Sequence, residues 1–474
     1  MQATAIEQVS QMVVHTRPRA QRAPTPSSIQ RTYFVLILGN TMAASLIWGI
    51  NTIFLLDAGL SNLQAFSANA FYTAGMVLFE VPTGVVADTV GRRASYLLGT
   101  VTLSASTLLY VLLWWIGAPF WQWAIVSILI GLGYTFFSGA VEAWLVDALT
   151  ATGYSGDMEA VFGRGQIVSG IAMLAGSVAG GFIAAQTSIG IPFVLRGLIL
   201  VLMFGVAMRL MHDIGFTPDK GNRPVAEMRK IALATIDHGW RVPAVRWLMV
   251  ESLFTGGVGV YGFYALQPYL LELYGDPQAY QVAGLVAAIV AGAQILGGSV
   301  APRLRRLFHR RTTALIWMMS LNVITLGLIG VLRSLWAVIA LIVVWGLLFA
   351  ATMPIRQTYI NGLIPSRQRA TILSFDSLMS SAGGVWAQPA LGRVADVWGY
   401  APSYLAGAAV SALALPFLAL SRRQNAAADT VAVTGAAPPD WDRPVAAGDH
   451  DASAQHHGAA GVRPEHAVRC AAGS

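Results

Sequence analysis

Cysteine is all but missing: of 474 residues only Cys470 carries a thiol. One cysteine makes no intrachain disulfide and no cysteine-ligated metal cluster. Charge is scarce as well. Asp, Glu, Lys and Arg together make 11% of the chain, against about 25% in a soluble globular protein. His15, His212, His238, His309, His450, His456, His457 and His466 all fall outside the long apolar runs. That argues against an enzyme, because no metal or nucleophile–base site can be assembled within those runs. Period-two alternation, which a membrane β-barrel needs, is absent. So is the ring of repeated polar groups that a channel filter uses.

What fills the sequence instead is apolar. Hydrophobic residues make 55%, and with the 48 glycines the apolar share is about 65%, against roughly 45–50% in a soluble domain. So much apolar surface behind so few charges needs lipid as its solvent. Runs long enough to cross ~30 Å of hydrocarbon follow one another at 32–56, 63–87, 94–117, 120–147, 160–186, 191–211, 244–271, 279–301, 313–333, 335–363, 370–396 and 400–421. The expected fold class is all-α integral membrane with twelve transmembrane helices. The net charge of +7 does not point to nucleic acid, because Lys and Arg form no stripe and fall between the runs. With the N-terminus inside, 26 of the 30 Lys and Arg lie on the inner side. Both termini are therefore expected in the cytoplasm, in a multi-pass protein of the inner (plasma) membrane. Trp114, Trp115, Trp121 and Trp123 at one outer hairpin, and Trp398 and Tyr400 at another, suit the outer interface.

Residues 1–31 read as a cytoplasmic N-tail carrying Arg17, Arg19, Arg22 and Arg31, with no secretory signal. Six spans occupy 32–211 and six more 244–421, joined by the longest inward connection, 212–243. Within it, 224–240 (PVAEMRKIALATIDHGW) reads as an amphipathic helix on the inner membrane face. Residues 422–474 are low-complexity sequence, expected to form a disordered cytoplasmic tail. Its His450, His456, His457 and His466 have no regular spacing, so no metal site is expected there. The halves look related at an offset of 214 residues. EVPTGVVAD, from Glu80 to Asp88, lines up with QILGGSVAP, from Gln294 to Pro302; Glu142 matches Arg356 and Asp147 matches Asn361. Farther on the offset changes, and Arg164 matches Arg369. Parallel six-span repeats are one layout of secondary transporters.

Between spans 2 and 3 stands Gly84-Val-Val-Ala-Asp88-Thr-Val-Gly91-Arg92-Arg93. Gly84 lets a neighbouring helix approach closely, and Asp88 sits at an inner helix end where a cation or a helix N-terminus can pair with it. Gly91 makes the reversal, and Arg92 and Arg93 stay at the inner interface. The pattern closely resembles the loop signature of the major facilitator superfamily, and the resemblance covers residues 32–421. It implies two pseudo-symmetric six-helix bundles, with spans 1, 4, 7 and 10 around a central cavity and a loop that latches the outward-open state. EVPTGVVAD, SGAVEAWLVDAL and RATILSFDSL look like a bacterial subgroup of drug and small-molecule exporters. The sequence departs from the pattern in three places. The second loop copy has Pro302 for the Asp and Arg305 for the Gly; Ser127 stands where many proton antiporters carry an Arg in span 4; Ser177 replaces a Pro in span 5.

A charge near the bilayer centre costs at least ~2.5–3.5 kcal/mol, so each one needs a reason. Glu80 lies eight residues, ~12 Å of helix, outward of Asp88. Glu142, Glu251, Arg356 and Asp376 lie in the inner parts of spans 4, 7, 10 and 11, whereas Asp57, Glu272 and Asp396 sit at outer span ends and are expected to be solvated. Two readings of Arg356 stand. Either it pairs with Glu142 across the cavity, a gate that protonation would weaken, or it is satisfied within its own half, for example by Asp376. Glu80 is a second proton carrier or a buried protonated carboxyl bonded to span 4, and Asp147 joins the gating group through its match with Asn361. For the substrate, Asn40, Trp48, Asn51, Tyr261, Tyr264 and Gln267 on spans 1 and 7 suit a partly apolar organic molecule, or serve packing alone. The function expected is proton-coupled export of small organic molecules by a monomer with no cofactor and no metal. An uptake facilitator or proton symporter and a non-transporting scaffold are the alternatives.

Overall fold

A backbone placed in hydrocarbon must bond its own N–H and C=O groups, so each apolar run has to close into a helix. The structure, a computed structural model, describes residues 25–218, 240–364 and 369–430, and only the backbone of 369–371. Twelve helical segments follow the twelve runs. They are α1 (Pro26–Trp48 and Asn51–Asp57), α2 (Asn62–Thr89), α3 (Arg92–Ile116), α4 (Phe120–Thr135 and Ala140–Ala151), α5 (Met158–Gln186) and α6 (Ile191–Leu210), then α7 (Pro243–Tyr274), α8 (Tyr280–Arg305), α9 (Arg311–Val331), α10 (Leu335–Leu363), α11 (Arg369–Trp398) and α12 (Tyr400–Ala412 and Leu415–Arg423). Among the described residues nine helices are long and apolar enough to cross a membrane, ten if the two pieces of α1 count as one. The other two, α7 and α11, have 32 and 30 residues but do not meet that measure. Leu198, Val201 and Leu202 stand outward on α6, more than half exposed, as on a surface that faces lipid.

Local chemistry sets the ends. Thr25 caps α1 and Pro26 follows at its first position, so the helix starts six residues before Thr32. At Gly49 and Ile50 the helix breaks, and its pieces meet at 48°. α4 breaks at 136–139, where Gly139 takes φ of 69°. The chain beyond α12 also departs from the expected free tail. Asp429 is buried and accepts from the Thr312 N–H and hydroxyl, each at 2.8 Å, which caps the start of α9. Residues 1–24, the tail beyond Thr430 and all but the last residue of the 224–240 stretch lie outside the described residues.

The packing repeats. In the first half α1 packs on α5 and α6, α2 on α4, and α3 on α4 and α6; in the second α7 packs on α11 and α12, α8 on α10, and α9 on α10 and α12. Adding six to each helix number turns the first set into the second. The contacts between halves obey the same rule, since α2 on α11 becomes α8 on α5.

The two ends of the bundle differ. At the end that holds the 57–62 and 398–400 turns, here the hairpin end, the halves are joined. The Asp396 carboxylate accepts from the Asn62 and Leu63 N–H groups at 2.8 and 2.9 Å, and Tyr400 donates to Asn62. Where α5 meets α8, a Cβ on Gly284 would stand 2.6 Å from the Ser177 carbonyl oxygen and 2.9 Å from Gly181 Cα, so only glycine permits that approach. At the opposite end, here the motif end, no hydrogen bond or ion pair joins the halves among the described residues. Open space surrounds the position a Cβ would take on Gly84, Gly163 and Gly298.

Candidate functional site

A cavity of about 310 Å³ opens among helices of the first half, at the low end of the size that takes a small molecule. Trp48 and Asn51 from α1, Asn69 and Tyr72 from α2, Thr107 and Tyr110 from α3, Tyr134 from α4, Arg196 from α6 and Tyr264 from α7 are among its lining residues. Trp48 packs on Phe263 with ring centroids 4.8 Å apart, and Tyr72 meets Tyr134 edge-on at 5.7 Å. Six of the sixteen described lining residues are aromatic, with amide and hydroxyl groups set among them.

Three of the six expected substrate residues line this cavity: Trp48, Asn51 and Tyr264. The other three are engaged elsewhere. Asn40 accepts from the Tyr96 hydroxyl at 2.8 Å, and Tyr261 is buried and donates to Ser403 at 2.6 Å. Gln267 fills the break in α1. Its Oε1 accepts from the Thr52 N–H and its Nε2 donates to the Trp48 carbonyl, both at 2.8 Å. A broken helix leaves such groups unpaired, and a side chain of the other half supplies both partners. Asp396 likewise is not merely solvated; it caps α2 across the halves.

Arg196 was visible in the sequence only as a charge inside a span, the one signal that could have found it. It is 4% exposed and lines the cavity. Its NH2 reaches the Tyr134 hydroxyl at 3.5 Å and its guanidinium lies 5.6 Å from the Tyr134 ring centroid, while its Nε has no partner.

Arg356 is bound very differently. It holds Asp376 through two bonds of 2.5 and 2.7 Å, Glu251 at 3.2 Å and the Leu248 carbonyl at 3.0 Å. Thr255 donates to the other Glu251 oxygen at 2.9 Å. Of the two readings of Arg356 the second is the one seen here: it is satisfied inside its own half and makes no pair with Glu142. Glu142 lies in the first turn of the second piece of α4, where unpaired N–H groups favour a carboxylate. Glu80 is not buried: it is exposed and accepts from the Ser138 hydroxyl at 2.8 Å, in the break of α4. Its position is informative. Thr73, two turns earlier on α2, lies against Gln388 and Gly384 of α11, so Glu80 stands on the same face, where the halves have parted.

The 84–93 loop closes within the first half. Arg92 binds Asp88 at 2.5 Å and reaches Asp147 at 3.7 Å; the Arg93 N–H donates to Asp213 at 2.9 Å and its guanidinium to the Met208 carbonyl at 2.7 Å. Gly91 has φ of 132°, and a Cβ there would stand 2.4 Å from an Asp213 carboxylate oxygen. In the second copy α8 simply continues through Pro302 to Arg305. Among the described residues no group of three or more His, Cys, Asp or Glu could hold a metal ion.

Solved structures of the same shape are known. The nucleoside transporter NupG is similar with a TM-score of 0.67 at 12% identity, over 83% of this chain and 98% of that one. A bacterial homolog of the human lysosomal transporter Spinster, captured inward-facing and unoccupied, gives 0.63 at 15%, over 84% and 97%. The peptide transporter POT in complex with sulfate gives 0.62 at 14%, over 84% and 94%. Likeness at such identities concerns the fold. No curated protein matches the sequence closely enough to count as a relative. The sequence profile of the Major Facilitator Superfamily matches residues 32–387 and 279–435. With the six-plus-six packing and the 84–93 loop, the match makes this chain a secondary transporter that belongs to the Major Facilitator Superfamily.

Proposed function

We propose that the protein is a proton-coupled exporter of small organic molecules that works by alternating access. All twelve helices cross the inner membrane, α7 and α11 included, with the motif end in the cytoplasm and the hairpin end outside. The observation that carries this is the unequal closure of the two ends: Gln267, Asp396 and Gly284 join the halves on one side, and no hydrogen bond or ion pair among the described residues joins them on the other. In this reading the state described is inward-facing, which accounts for a loop engaged only within its own half. Export rather than uptake draws on the likeness of EVPTGVVAD, SGAVEAWLVDAL and RATILSFDSL to bacterial exporters.

We assign the proton to Glu80. Rocking the motif end shut brings α11 over the face on which Glu80 stands, and a carboxylate cannot be buried there without a proton or a cation. Asp376, the carboxylate of α11 at that level, is already held by Arg356. Closure and protonation are thus coupled: a proton that enters from the outer side while the motif end is shut leaves to the cytoplasm when that end opens. Glu142 and Asp147 act within the first half, Asp147 through Arg92.

The test is transport in proteoliposomes of the full chain, with the lumen acid and the medium neutral. An exporter inserted with its motif end outward accumulates substrate inside, and Glu80→Gln abolishes dependence on the gradient while exchange of substrate for substrate persists. Movement in the opposite sense identifies a symporter, no movement of any compound a scaffold, and unchanged gradient dependence in Glu80→Gln removes Glu80 from the proton path.

A further inference from the structure

The cavity holds three polar side chains that the protein itself leaves unsatisfied. Arg196 is 4% exposed with its Nε unpartnered; Asn69 is 6% exposed with its Nδ2 unpartnered; Thr107 is 1% exposed with its Oγ1 unpartnered. All three line the same 310 Å³ space. They come from three helices, α6, α2 and α3, so no single helix geometry explains them. The Asn69 amide is oriented by Asn51, whose Nδ2 donates to its Oδ1 at 3.0 Å, and this turns the free N–H₂ away from that bond.

Arg196 can only donate, the Asn69 nitrogen can only donate, and the Thr107 hydroxyl can do so. No Asp or Glu is among the lining residues. A buried guanidinium without a carboxylate is disfavoured, and such positions persist where function requires them. Donors without acceptors, one of them a fixed cation, are the complement of an oxyanion. Elsewhere in the wall Trp48, Tyr72, Tyr110, Phe193 and Tyr264 offer ring faces and edges.

We propose that the substrate is a small aromatic organic anion, whose oxyanion docks on Arg196, Asn69 and Thr107 and whose ring lies among the cavity aromatics. The proposal rests on the transporter reading and narrows it to a substrate class. Arg196 is the specificity residue: arginine presents two parallel N–H groups to a carboxylate, which lysine cannot do. Tyr264, contributed by α7, is the one lining residue of the second half among the described residues, so a bound ring touches both halves and senses their movement.

The test is binding to the full chain in detergent with no gradient, read by quenching of tryptophan fluorescence, with 2-naphthoate and its uncharged counterpart 2-naphthamide as probes. The wild type should bind the naphthoate at least tenfold more tightly than the amide. Arg196→Gln should lose at least tenfold toward the naphthoate and leave the amide unchanged, with Arg196→Lys between. Equal affinity for the two probes, no binding of the naphthoate, or a naphthoate affinity unchanged in Arg196→Gln would overturn the proposal. A second reading needs no ligand: Arg196→Gln should melt no lower than the wild type, whereas a fall in Tm would make Arg196 a structural residue and overturn the assignment. Because binding is read without a gradient, loss of proton-driven transport with naphthoate binding intact would refute the coupling and leave the anion site standing.

Discussion

Each half carries an arginine within a span, Arg196 at 4% exposure and Arg356 with 15% of its side chain exposed, and the two are treated in opposite ways. In the second half Arg356 lies between Glu251 and Asp376, with two bonds to one carboxylate, one to the other and a fourth to a backbone carbonyl. In the first half Arg196 finds only a distant tyrosine hydroxyl and a ring face, and its Nε finds nothing. A charge that is fully paired ties α7, α10 and α11 into one rigid unit. A charge that is left unpaired beside a cavity is available to something that arrives from outside. A bundle that rocks needs both: a firm body to move and a polar group whose partner comes and goes.

The largest effect should come from breaking the paired arginine. Arg356→Gln leaves two carboxylates facing each other in a buried site, at a cost of about 3–5 kcal/mol; the variant should fail to accumulate, as seen by fluorescence-detected size exclusion. Adding Glu251→Gln and Asp376→Asn should restore part of the yield. If Arg356→Gln is as stable as Arg196→Gln, the contrast between the two sites is false. Next comes the joint at the hairpin end. Gln267→Ala leaves the Thr52 N–H and the Trp48 carbonyl unpaired, and each buried group so stranded costs about 1–3 kcal/mol. The population should move toward an open hairpin end by tenfold or more, as distances between spin labels across α2 and α11 would report. Gly284→Ala should shift it the same way, because its Cβ would stand 2.6 Å from the Ser177 carbonyl oxygen.

The smallest effect on stability should be that of Asp88→Asn. Asp88 is 44% exposed in its pair with Arg92, and such pairs contribute about 0–1 kcal/mol. Melting in detergent should hardly change. Transport should still fall, since in the proposed cycle the loop acts when the motif end closes.

Much of the fold could be read before any coordinates. Apolar runs of membrane length, Lys and Arg concentrated between them, and the Gly84-to-Arg93 loop all follow from local sequence, because lipid enforces helices wherever such runs occur. The site was legible only in part. Trp48, Asn51 and Tyr264 are ring or amide groups at mid-depth on the expected helices, and they line the cavity. Gln267 was misread because its partners are backbone groups exposed by the break at Gly49, which apolar periodicity does not reveal. Asp376 was named from the sequence as a partner of Arg356, but Glu251, 105 residues away, was not, and only the pairing of three helices brings the group together. Arg196 defines a site through what does not touch it, and a missing contact has no sequence pattern. Glu80, exposed here, depends in the proposed cycle on the conformational state, because the face it stands on closes when the motif end shuts.

The central claim is that the two halves rock about the cavity, so that the face of α2 bearing Glu80 closes on α11. Thr73 lies against Gly384; two turns farther along each helix stand Glu80 and Ser377, both exposed in this state. In a Cys470→Ser background, Glu80→Cys and Ser377→Cys should form a disulfide only when the motif end shuts, because the bond needs Cα atoms within about 7 Å. The account predicts that oxidation traps the pair and stops the exchange of substrate for substrate, which does not need the Glu80 carboxylate, and that reduction restores it. A protein that stays uncrosslinked while it turns over, or one that carries substrate at full rate with the disulfide in place, would contradict it.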